Sequence, residues 1–244
     1  MKLVPDEWLS GIFGYDVIKV ALERDELVDP KAAFPKDSLP QRAFYYTKIP
    51  VTFVRQIGTL TNAGFRVVDV NITFEREPVQ EINSNSSILV RDAQAGDENA
   101  VLEIAETAFI YSRFHLDPFV SKELANKIKR EWIANYVRGQ RGERLLVAEV
   151  NGKAVGFLAL LVTGDAEKIG VIDLIGVAKN MQGRGVGQCL VEHHIQDAYQ
   201  NYSRIIVGTQ ISNVPSMRLY AKCGYHISNS TYVLHAHVNE GKIL

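Results

Sequence analysis

The feature that most constrains the fold is a group of three glycines within five residues, Gly183, Gly185 and Gly187, between a β-rich segment and a helical one. Glycines this close weaken a regular helix or strand, because glycine loses more conformational freedom on folding than any other residue. At the start of a helix they let a ligand approach the backbone, and free N–H groups there favour an anion such as a pyrophosphate. A tight turn without a ligand is the alternative interpretation.

Two known phosphate-binding motifs do not fit this loop. Its spacing is Gly-x-Gly-x-Gly, and no acidic residue follows at the distance that a dinucleotide-binding fingerprint requires. It is not a P-loop, because no Gly-Lys-Ser/Thr sequence closes it. The loop therefore indicates either an anion site of another class or a simple turn.

Strand-like and helix-like patterns alternate through the C-terminal part of the chain. Helical periodicity follows Asp97 and Ser121, and Asn151-Gly152 gives a strong hairpin signal between two β-rich runs. The order β-α-α-β-β-β-α-β-α-β predicts an α/β fold on a mixed sheet. The predicted strands are 88–94, 144–150, 154–163, 168–177, 205–208 and 232–238, and the last two helices are 186–199 and 215–223.

The chain divides at residues 75–87, where a proline, charges and a turn-rich Asn/Ser run interrupt the apolar periodicity. We therefore expect two domains, 1–84 and 85–244. A helix, a Gly-aromatic pair and a strand occur around Gly64 and again around Gly224, which predicts a weak internal repeat or a chance similarity. Aligning the glycines places Leu60 opposite Tyr220. The elements predicted in the smaller part are strands at 16–22, 42–48 and 65–74 and a helix at 52–63.

Composition excludes several function classes. The 244 residues are 46% hydrophobic and 23% charged, as in a globular protein with a substantial core. The formal net charge of -1 argues against nucleic-acid binding through bulk positive charge. No apolar run approaches the ~20 residues of a membrane span, the N-terminus lacks a signal-peptide pattern, and two cysteines fit a reducing compartment. We expect a cytoplasmic protein with no nucleic-acid or membrane partner.

The glycine loop and a later segment, Asn213…Ser216…Tyr220…Gly224-Tyr225, occur at a separation that resembles the GCN5-related N-acetyltransferase (GNAT) superfamily over residues 87–238. The resemblance implies a GNAT fold, with a central, mixed, mostly antiparallel sheet flanked by helices. It also implies a coenzyme A thioester with its pyrophosphate on the loop and its pantetheine arm between strand 172–177 and a splayed neighbour at 205–208. The residues it assigns to acyl-CoA are Ile175, Gly176, Val177, Gln182, Gly183, Arg184, Gly185, Val186, Gly187, Asn213 and Ser216.

Shorter segments, 12–14, 108–114 and 218–220, resemble the dTDP-fucosamine acetyltransferase branch. That branch implies acyl transfer to the amino group of a dTDP-linked amino-6-deoxysugar for bacterial surface polysaccharide such as lipopolysaccharide O-antigen. It also implies a truncated GNAT-like N-terminal domain, which fits the weak repeat. The donor is acetyl-CoA or a longer thioester such as 3-hydroxybutyryl-CoA, and the amine at sugar carbon 3 or 4 stays open.

The expected mechanism is direct attack of a positioned, unprotonated amine on the thioester. A backbone N–H near residues 175–177 is expected to bind the oxyanion. We expect Tyr220 to be the general acid for the thiolate, since a phenol with a pKa near ~10 stays protonated at neutral pH. By resemblance, Asp69 is the candidate base. The alternatives are a core aromatic for Tyr220 and a solvated strand residue for Asp69.

Three residues between the first two helices of the C-terminal part are candidates for acceptor binding. We expect Arg113 to contact a diphosphate by charge and Phe114 to stack on thymine. His115 is a further candidate, either for substrate binding or as the base. A structural or surface role is the alternative for each.

We expect that the protein binds no metal and forms a homodimer. Adjacent helical His193 and His194 point apart, and we expect the alternating strand pair His235 and His237 to have no acidic or cysteine partner nearby. A homodimer is expected because the apolar strand residues 232–234 could pair across subunits.

Two other functions stay open at this point. One is a protein or peptide N-acetyltransferase with an unusual N-terminal extension, and the other is a non-catalytic CoA-binding module. The presence of both Tyr220 and Asn213 argues against the second.

Overall fold

The computed structural model describes residues 1–22, 39–81, 88–164 and 167–244. These residues form six α-helices and eleven strands. The helices are α1 (Glu7–Phe13), α2 (Val54–Asn62), α3 (Glu98–Thr107), α4 (Lys122–Val137), α5 (Val186–Asp197) and α6 (Val214–Lys222). The strands are β1 (Lys2–Pro5), β2 (Asp16–Ala21), β3 (Arg42–Pro50), β4 (Arg66–Arg76), β5 (Leu89–Asp92), β6 (Arg144–Val150), β7 (Lys153–Thr163), β8 (Ile169–Val177), β9 (Arg204–Gln210), β10 (His226–Asn239) and β11 (Lys242–Ile243).

The predicted elements are confirmed, with ends that shift by a few residues. The Ser121 side chain caps α4, and Asn151-Gly152 forms the predicted hairpin between β6 and β7 with positive φ at both residues. Strand β10 begins six residues earlier than predicted, and α1, β1 and β11 were not predicted. Of the predicted linker, β4 takes up the first two residues and 82–87 lie outside the described residues.

All the described strands belong to one mixed sheet. Its order is β1-β2-β3-β10-β4-β9-β8-β7-β6-β5, with β11 beside β10. Two neighbouring pairs are parallel, β2 with β3 and β8 with β9, and the other pairs are antiparallel. The two parts of the sequence exchange strands, because β10 lies between β3 and β4. The expected α/β fold with a mixed, mostly antiparallel sheet is confirmed.

The β4–β10 ladder at the middle of the sheet is symmetric about the pair Asn71 and Thr231. A register shift interrupts the ladder once on each side, leaving Ser228 as the extra residue of β10 and Val68 as the extra residue of β4. The strands outside the ladder follow the same symmetry, since β3 flanks β10 as β9 flanks β4. The central six strands thus form two related halves.

The helix–Gly–aromatic motif has the same geometry in both halves. Phe65 N donates to Leu60 O at 3.0 Å, and Tyr225 N donates to Tyr220 O at the same distance. Gly64 and the glycine before Tyr225 both have positive φ, 105° and 79°, which glycine adopts most readily. Leu60 and Tyr220 therefore occupy matching buried positions.

Helices cover both faces of the sheet. Helices α2, α5 and α6 pack on one face, since paired Val70 and Tyr232 join the apolar clusters that these helices form with the sheet. Helices α1, α3 and α4 pack on the other face. Residues 108–121 lie between α3 and α4, and several of them join α1 and α4 there. No helix of the described residues combines the length and apolar character needed to cross a membrane.

The interface expected for a homodimer is not available. Residues 232–234 of β10 pair with β3 on one side and with β4 on the other. A strand that is paired on both sides has no free backbone groups to offer a second subunit. The expectation that these residues pair across subunits is therefore wrong.

Candidate active site

Strands β8 and β9 separate part-way along their length. Their parallel pairing runs from Ile169 with Arg204 to Ile172 with Val207. Beyond this point β8 continues beside β7, while β9 continues beside β4. The backbone edge of residues 173–177 is thus left without β9 as a partner, which creates the wedge expected for a pantetheine arm and leaves these peptide groups outside the β8–β9 ladder.

A cavity of about 520 Å³ opens at this wedge. It is enclosed by the end of β8, the glycine loop, the first turns of α5 and α6, and the segment after α3. All of the residues assigned to acyl-CoA line it except Arg184, which is exposed. The other lining residues are Ala108, Phe109, Ile110, Tyr111, Ser112, Met181, Gln188, Gln210, Pro215, Leu219 and Lys222.

The glycine loop presents backbone to the cavity. Gly183 and Gly185 have φ of 74° and 83°, and a Cβ on either would meet no atom within 4 Å. Gly185 is the N-cap of α5 and provides no side-chain cap, so the first N–H groups of this 12-residue helix have no partner from that residue. The Gln182 amide donates to Val177 O at 3.1 Å and joins the loop to β8. Open space beside uncapped N–H groups suits a pyrophosphate.

Helix α6 forms the opposite wall. The Asn213 side chain caps it by accepting from Ser216 N at 3.3 Å. Tyr220 lies one turn beyond Ser216, but it is only 2% exposed, packs against Phe74 and Tyr225, and is not among the lining residues. Burial raises the pKa of the Tyr220 phenol, so it stays protonated at neutral pH. The structure thus places Tyr220 behind the cavity wall.

Asp69 lies on β4 two residues before Asn71, whose β9 partner, Gln210, lines the cavity. Its side chain is buried, and Oδ2 has no hydrogen-bond partner among the described residues. Burial raises the pKa of Asp69 to about 6, against the opposing effects of Val70 N–H and the Lys48 charge. A carboxylate with this pKa is ionised at pH 7 and still basic enough to accept a proton.

The three acceptor candidates lie in different surroundings. Phe114 is 1% exposed within the cluster around Phe13 and Phe44, so its ring has no free face for a thymine. Both ring nitrogens of His115 are used, because Nδ1 accepts from Ser112 Oγ at 2.6 Å and Nε2 donates to Asn126 Oδ1 at 2.9 Å. These contacts give Phe114 and His115 structural roles, as in the alternative interpretation.

Arg113 differs from its two neighbours. Its guanidinium lies 4.0 Å from the ring centroid of Tyr46 and 4.3 Å from that of Phe114. It also lies 3.3 Å from His235 Nε2, and no carboxylate within ion-pair distance is found among the described residues. Arg113 is therefore fixed by aromatic rings and a histidine and has no direct ion pair among the described residues. The carboxylates of Asp6 and Asp117 act on it from one side chain further away, behind Tyr46 and His235.

The histidines of β10 have an acidic partner that sequence spacing did not reveal. His235 Nδ1 and His237 Nε2 both approach Asp117 Oδ2, at 2.6 and 2.8 Å, and the three side chains are buried. The reasoning that no acidic residue is near these histidines is wrong, because residues 108–121 fold over β10. Burial opposes ionisation of Asp117, but the two histidine hydrogen bonds outweigh it and hold the pKa of that carboxyl well below its usual range. The group forms a hydrogen-bonded support for Arg113.

Two further charged residues, Asp173 and Lys129, were not predicted from the sequence. Asp173 is the extra residue of a bulge in β8, and it accepts hydrogen bonds from Trp132, Tyr136 and Arg141. Lys129 is 8% exposed on α4, with Nζ 5.1 Å from the ring centroid of Phe109. Its position one turn from the buried Ala125 and Ile133 was a signal that this lysine faces inward.

Comparisons with known proteins agree with this geometry. Residues 100–225 match the Acetyltransferase (GNAT) family. Spore coat polysaccharide biosynthesis protein SpsD of Bacillus subtilis is 32% identical over 143 residues, which are 58% of this chain and 48% of that relative. The match therefore spans about half the length of this curated relative.

Solved structures share the fold at low identity. A GNAT protein from Kribbella flavida superposes with a TM-score of 0.59 at 14% identity, covering 90% of this chain and 80% of that chain. One from Sphaerobacter thermophilus gives 0.55 at 18% identity, covering 83% of this chain and 62% of that chain. The family match takes in more than half of this chain, and the chain therefore belongs to the GNAT acetyltransferase family.

Proposed function

We propose that the protein is an acyl-CoA-dependent N-acyltransferase whose acceptor is the amino group of a dTDP-linked amino-6-deoxysugar. The observation that carries the proposal is the cavity at the wedge between β8 and β9, bordered by the uncapped N-terminus of α5. The name of the curated relative, a spore coat polysaccharide biosynthesis protein, favours a sugar acceptor over a peptide.

The acyl-CoA is proposed to lie with its pyrophosphate on residues 183–187 and its pantetheine arm in the wedge. The acyl group is acetyl or a longer group such as 3-hydroxybutyryl. The amine nitrogen attacks the thioester carbonyl carbon, the C–N bond forms, and the C–S bond breaks. A free N–H on the β8 edge, at 175–177, stabilises the oxyanion.

Asp69 and Tyr220 are proposed to move the two protons. Asp69 takes the ammonium proton, directly or through one water, and its unpartnered Oδ2 supports this role. Tyr220 gives its proton to the departing thiolate, and the second proton, which the nitrogen loses as the amide forms, restores the phenol. Its support is the protonated phenol and its place on α6, one turn after the cavity-lining Ser216. Because Tyr220 lies behind the lining residues, this role requires the phenol to become accessible to the sulfur when acyl-CoA binds.

Residues 1–84 are proposed to be a truncated GNAT-like half. The symmetric β4–β10 ladder and the matching Leu60 and Tyr220 hydrogen bonds support this origin. The half supplies Asp69 and the strand β3 on which Tyr46 lies beside Arg113. The acceptor diphosphate is proposed to contact Arg113, which has no direct ion pair among the described residues.

The test is thiol release from acetyl-CoA and 3-hydroxybutyryl-CoA with dTDP-3-amino and dTDP-4-amino 6-deoxysugars, with a peptide pool alongside. We expect release with a sugar nucleotide and an N-acylated product by mass spectrometry. Release with peptides alone would contradict the proposal and favour a protein acetyltransferase. Tight acetyl-CoA binding without turnover on any amine would favour a non-catalytic module.

A further inference from the structure

Lys129 is a buried cation without a counterion. It lies on α4 with 8% of its surface exposed, and no hydrogen bond or ion pair reaches it among the described residues. Its Nζ lies 4.9 Å from the Trp132 ring centroid and 5.1 Å from that of Phe109. Because a buried charge is normally paired, an unpaired one points to a ligand that supplies the opposite charge.

The closest acidic candidate is already occupied. Asp173 accepts from Arg141 through two hydrogen bonds, at 2.7 and 3.0 Å, and from Trp132 and Tyr136 as well. Its charge is thus balanced by an arginine. Lys129 gains only a weak, longer-range attraction from it.

Other cations surround Lys129. Burial first, and then the charges of Arg113 and, less strongly, Lys48, lower the pKa of Lys129 to about 8. Arg113 has no direct ion pair and is held by His235 and two aromatic rings, with Asp117 one hydrogen bond further away behind His235. Lys129 is buried, Arg113 is half-buried and Lys48 is exposed. Like charges gathered around a buried lysine destabilise the protein unless an anion binds between them.

Lys129 and Arg113 are not among the residues that line the cavity, but each lies beside one that does. Phe109, whose ring lies beside Lys129, and Ser112, next to Arg113 in the chain, both line the cavity. Lys48 faces the same side of the sheet as Asp69, since both pair with Val233. An anion held here would therefore be near the proposed base.

We propose that Lys129 and Arg113, with Lys48, bind a phosphate group of the acceptor. The planar fork of an arginine together with lysine charges suits phosphate oxygens. This inference rests on the proposed function for the identity of the acceptor, and it adds Lys129 as the residue that selects a phosphorylated one. Unphosphorylated amino sugars are then poor acceptors.

The test measures binding separately from turnover. Inorganic pyrophosphate and dTDP are titrated by isothermal calorimetry into protein that is saturated with CoA. Because CoA then occupies its own site, the heat of binding reports the proposed acceptor phosphate site alone. We expect Lys129→Met to weaken both by tenfold or more, and the matched variant Lys127→Met, at an exposed position of the same helix, to change neither by more than twofold. The melting temperature of unliganded Lys129→Met should stay equal or rise, since an unpaired buried charge is removed.

Equal affinity in Lys129→Met and wild type would overturn the inference. So would a fall in melting temperature with unchanged pyrophosphate binding, since that indicates a structural lysine. Succinate as a carboxylate probe gives a third arm, and Lys129-dependent binding of succinate without binding of pyrophosphate would also overturn it. Lys129-dependent pyrophosphate binding without turnover of dTDP-amino sugars would leave the inference standing and contradict the proposed function instead.

Discussion

The two halves of the central sheet share a backbone plan and differ at matched side chains. Phe53, Leu60 and Phe65 in the N-terminal half correspond to Asn213, Tyr220 and Tyr225 in the C-terminal half. The first set is apolar and lies in the cluster that α2 forms with the sheet. The second set supplies the side-chain cap of α6 and two phenols. The same hydrogen-bond frame therefore carries apolar side chains in one half and, in the other, a helix cap at the cavity and two phenols buried behind its wall.

The parallel strand pairs of the two halves are also matched. Strands β2 and β3 pair over Asp16–Lys19, and β8 and β9 pair over Ile169–Ile172. The cavity with the glycine loop lies at the second pair. The comparison indicates that the fold alone does not make the site, and that the loop and the residues on α6 make it.

The largest expected effect is the difference in kcat between variants at the two matched positions, Tyr220 and Leu60. We expect Tyr220→Phe to lower kcat by about 10³-fold, since it removes a proton donor, while CoA affinity is retained. Leu60→Met is volume-conserving in the other half and should leave kcat unchanged. Steady-state kinetics and CoA titration of both variants measure this.

Tyr225→Phe is the control within the same half. The Tyr225 hydroxyl is buried without a partner in the described part of the chain. Removing it should therefore leave kcat unchanged, and the melting temperature should stay the same or rise. Near wild-type kcat in Tyr220→Phe would remove Tyr220 from the role of general acid.

Asp69 is the expected exception, a residue of the N-terminal half that takes part in the chemistry. We expect Asp69→Asn to lower kcat/KM by about 10²-fold. In the wild type, burial raises the pKa of Asp69 to about 6, and only the ionised form accepts a proton. The kcat/KM should therefore be level above pH 6 and fall tenfold per pH unit below it, and a pH profile of both proteins checks this. A fall in kcat/KM below pH 6 that occurs in the wild type and persists in Asp69→Asn would contradict the assignment of Asp69 as the base.

The glycine loop should be more sensitive than a glycine of the N-terminal half. Gly185→Ala places a side chain at φ 83°, a backbone conformation that costs about 1–2 kcal/mol for alanine. If CoA binding must hold the loop in this conformation, the Kd for CoA becomes roughly tenfold weaker. Gly58→Ala, inside α2 and in open space, should instead stabilise the protein by about 0.5–1 kcal/mol. Calorimetric titration and thermal unfolding give the two values. Unchanged CoA affinity in Gly185→Ala would argue that the pyrophosphate lies elsewhere.

The smallest effect concerns the side-chain cap that α6 has and the matching helix α2 lacks. Asn213→Ala removes the acceptor of Ser216 N and should lower stability by about 1 kcal/mol. Asn213→Ser retains a capping oxygen and should lose less than half of that. Chemical denaturation of the two variants measures the difference, and equal losses would mean that Asn213 acts through another contact.

The parts of the molecule that local pattern could predict are those that depend on neighbours in sequence. The β6–β7 hairpin, the Ser121 cap and the glycine loop all follow from residues a few positions apart. The repeat around Gly64 and Gly224 was visible for the same reason, and it pointed to the matched positions of Leu60 and Tyr220.

The parts that sequence could not reach depend on strand exchange and on one long connection. Because β10 lies between β3 and β4, its apolar residues are paired within the chain, and the edge expected for a dimer does not exist. Because residues 108–121 fold over β10, Asp117 meets two histidines that are more than a hundred residues away. The burial of Phe114 follows from the same packing.

The position of bound CoA tests the central claim most directly. A crystal structure with CoA should place its pyrophosphate within hydrogen-bond distance of the N–H groups of residues 183–187 and its sulfur in the wedge between β8 and β9. CoA bound instead between β2 and β3, or away from the glycine loop, would contradict the assignment of the chemistry to the C-terminal half.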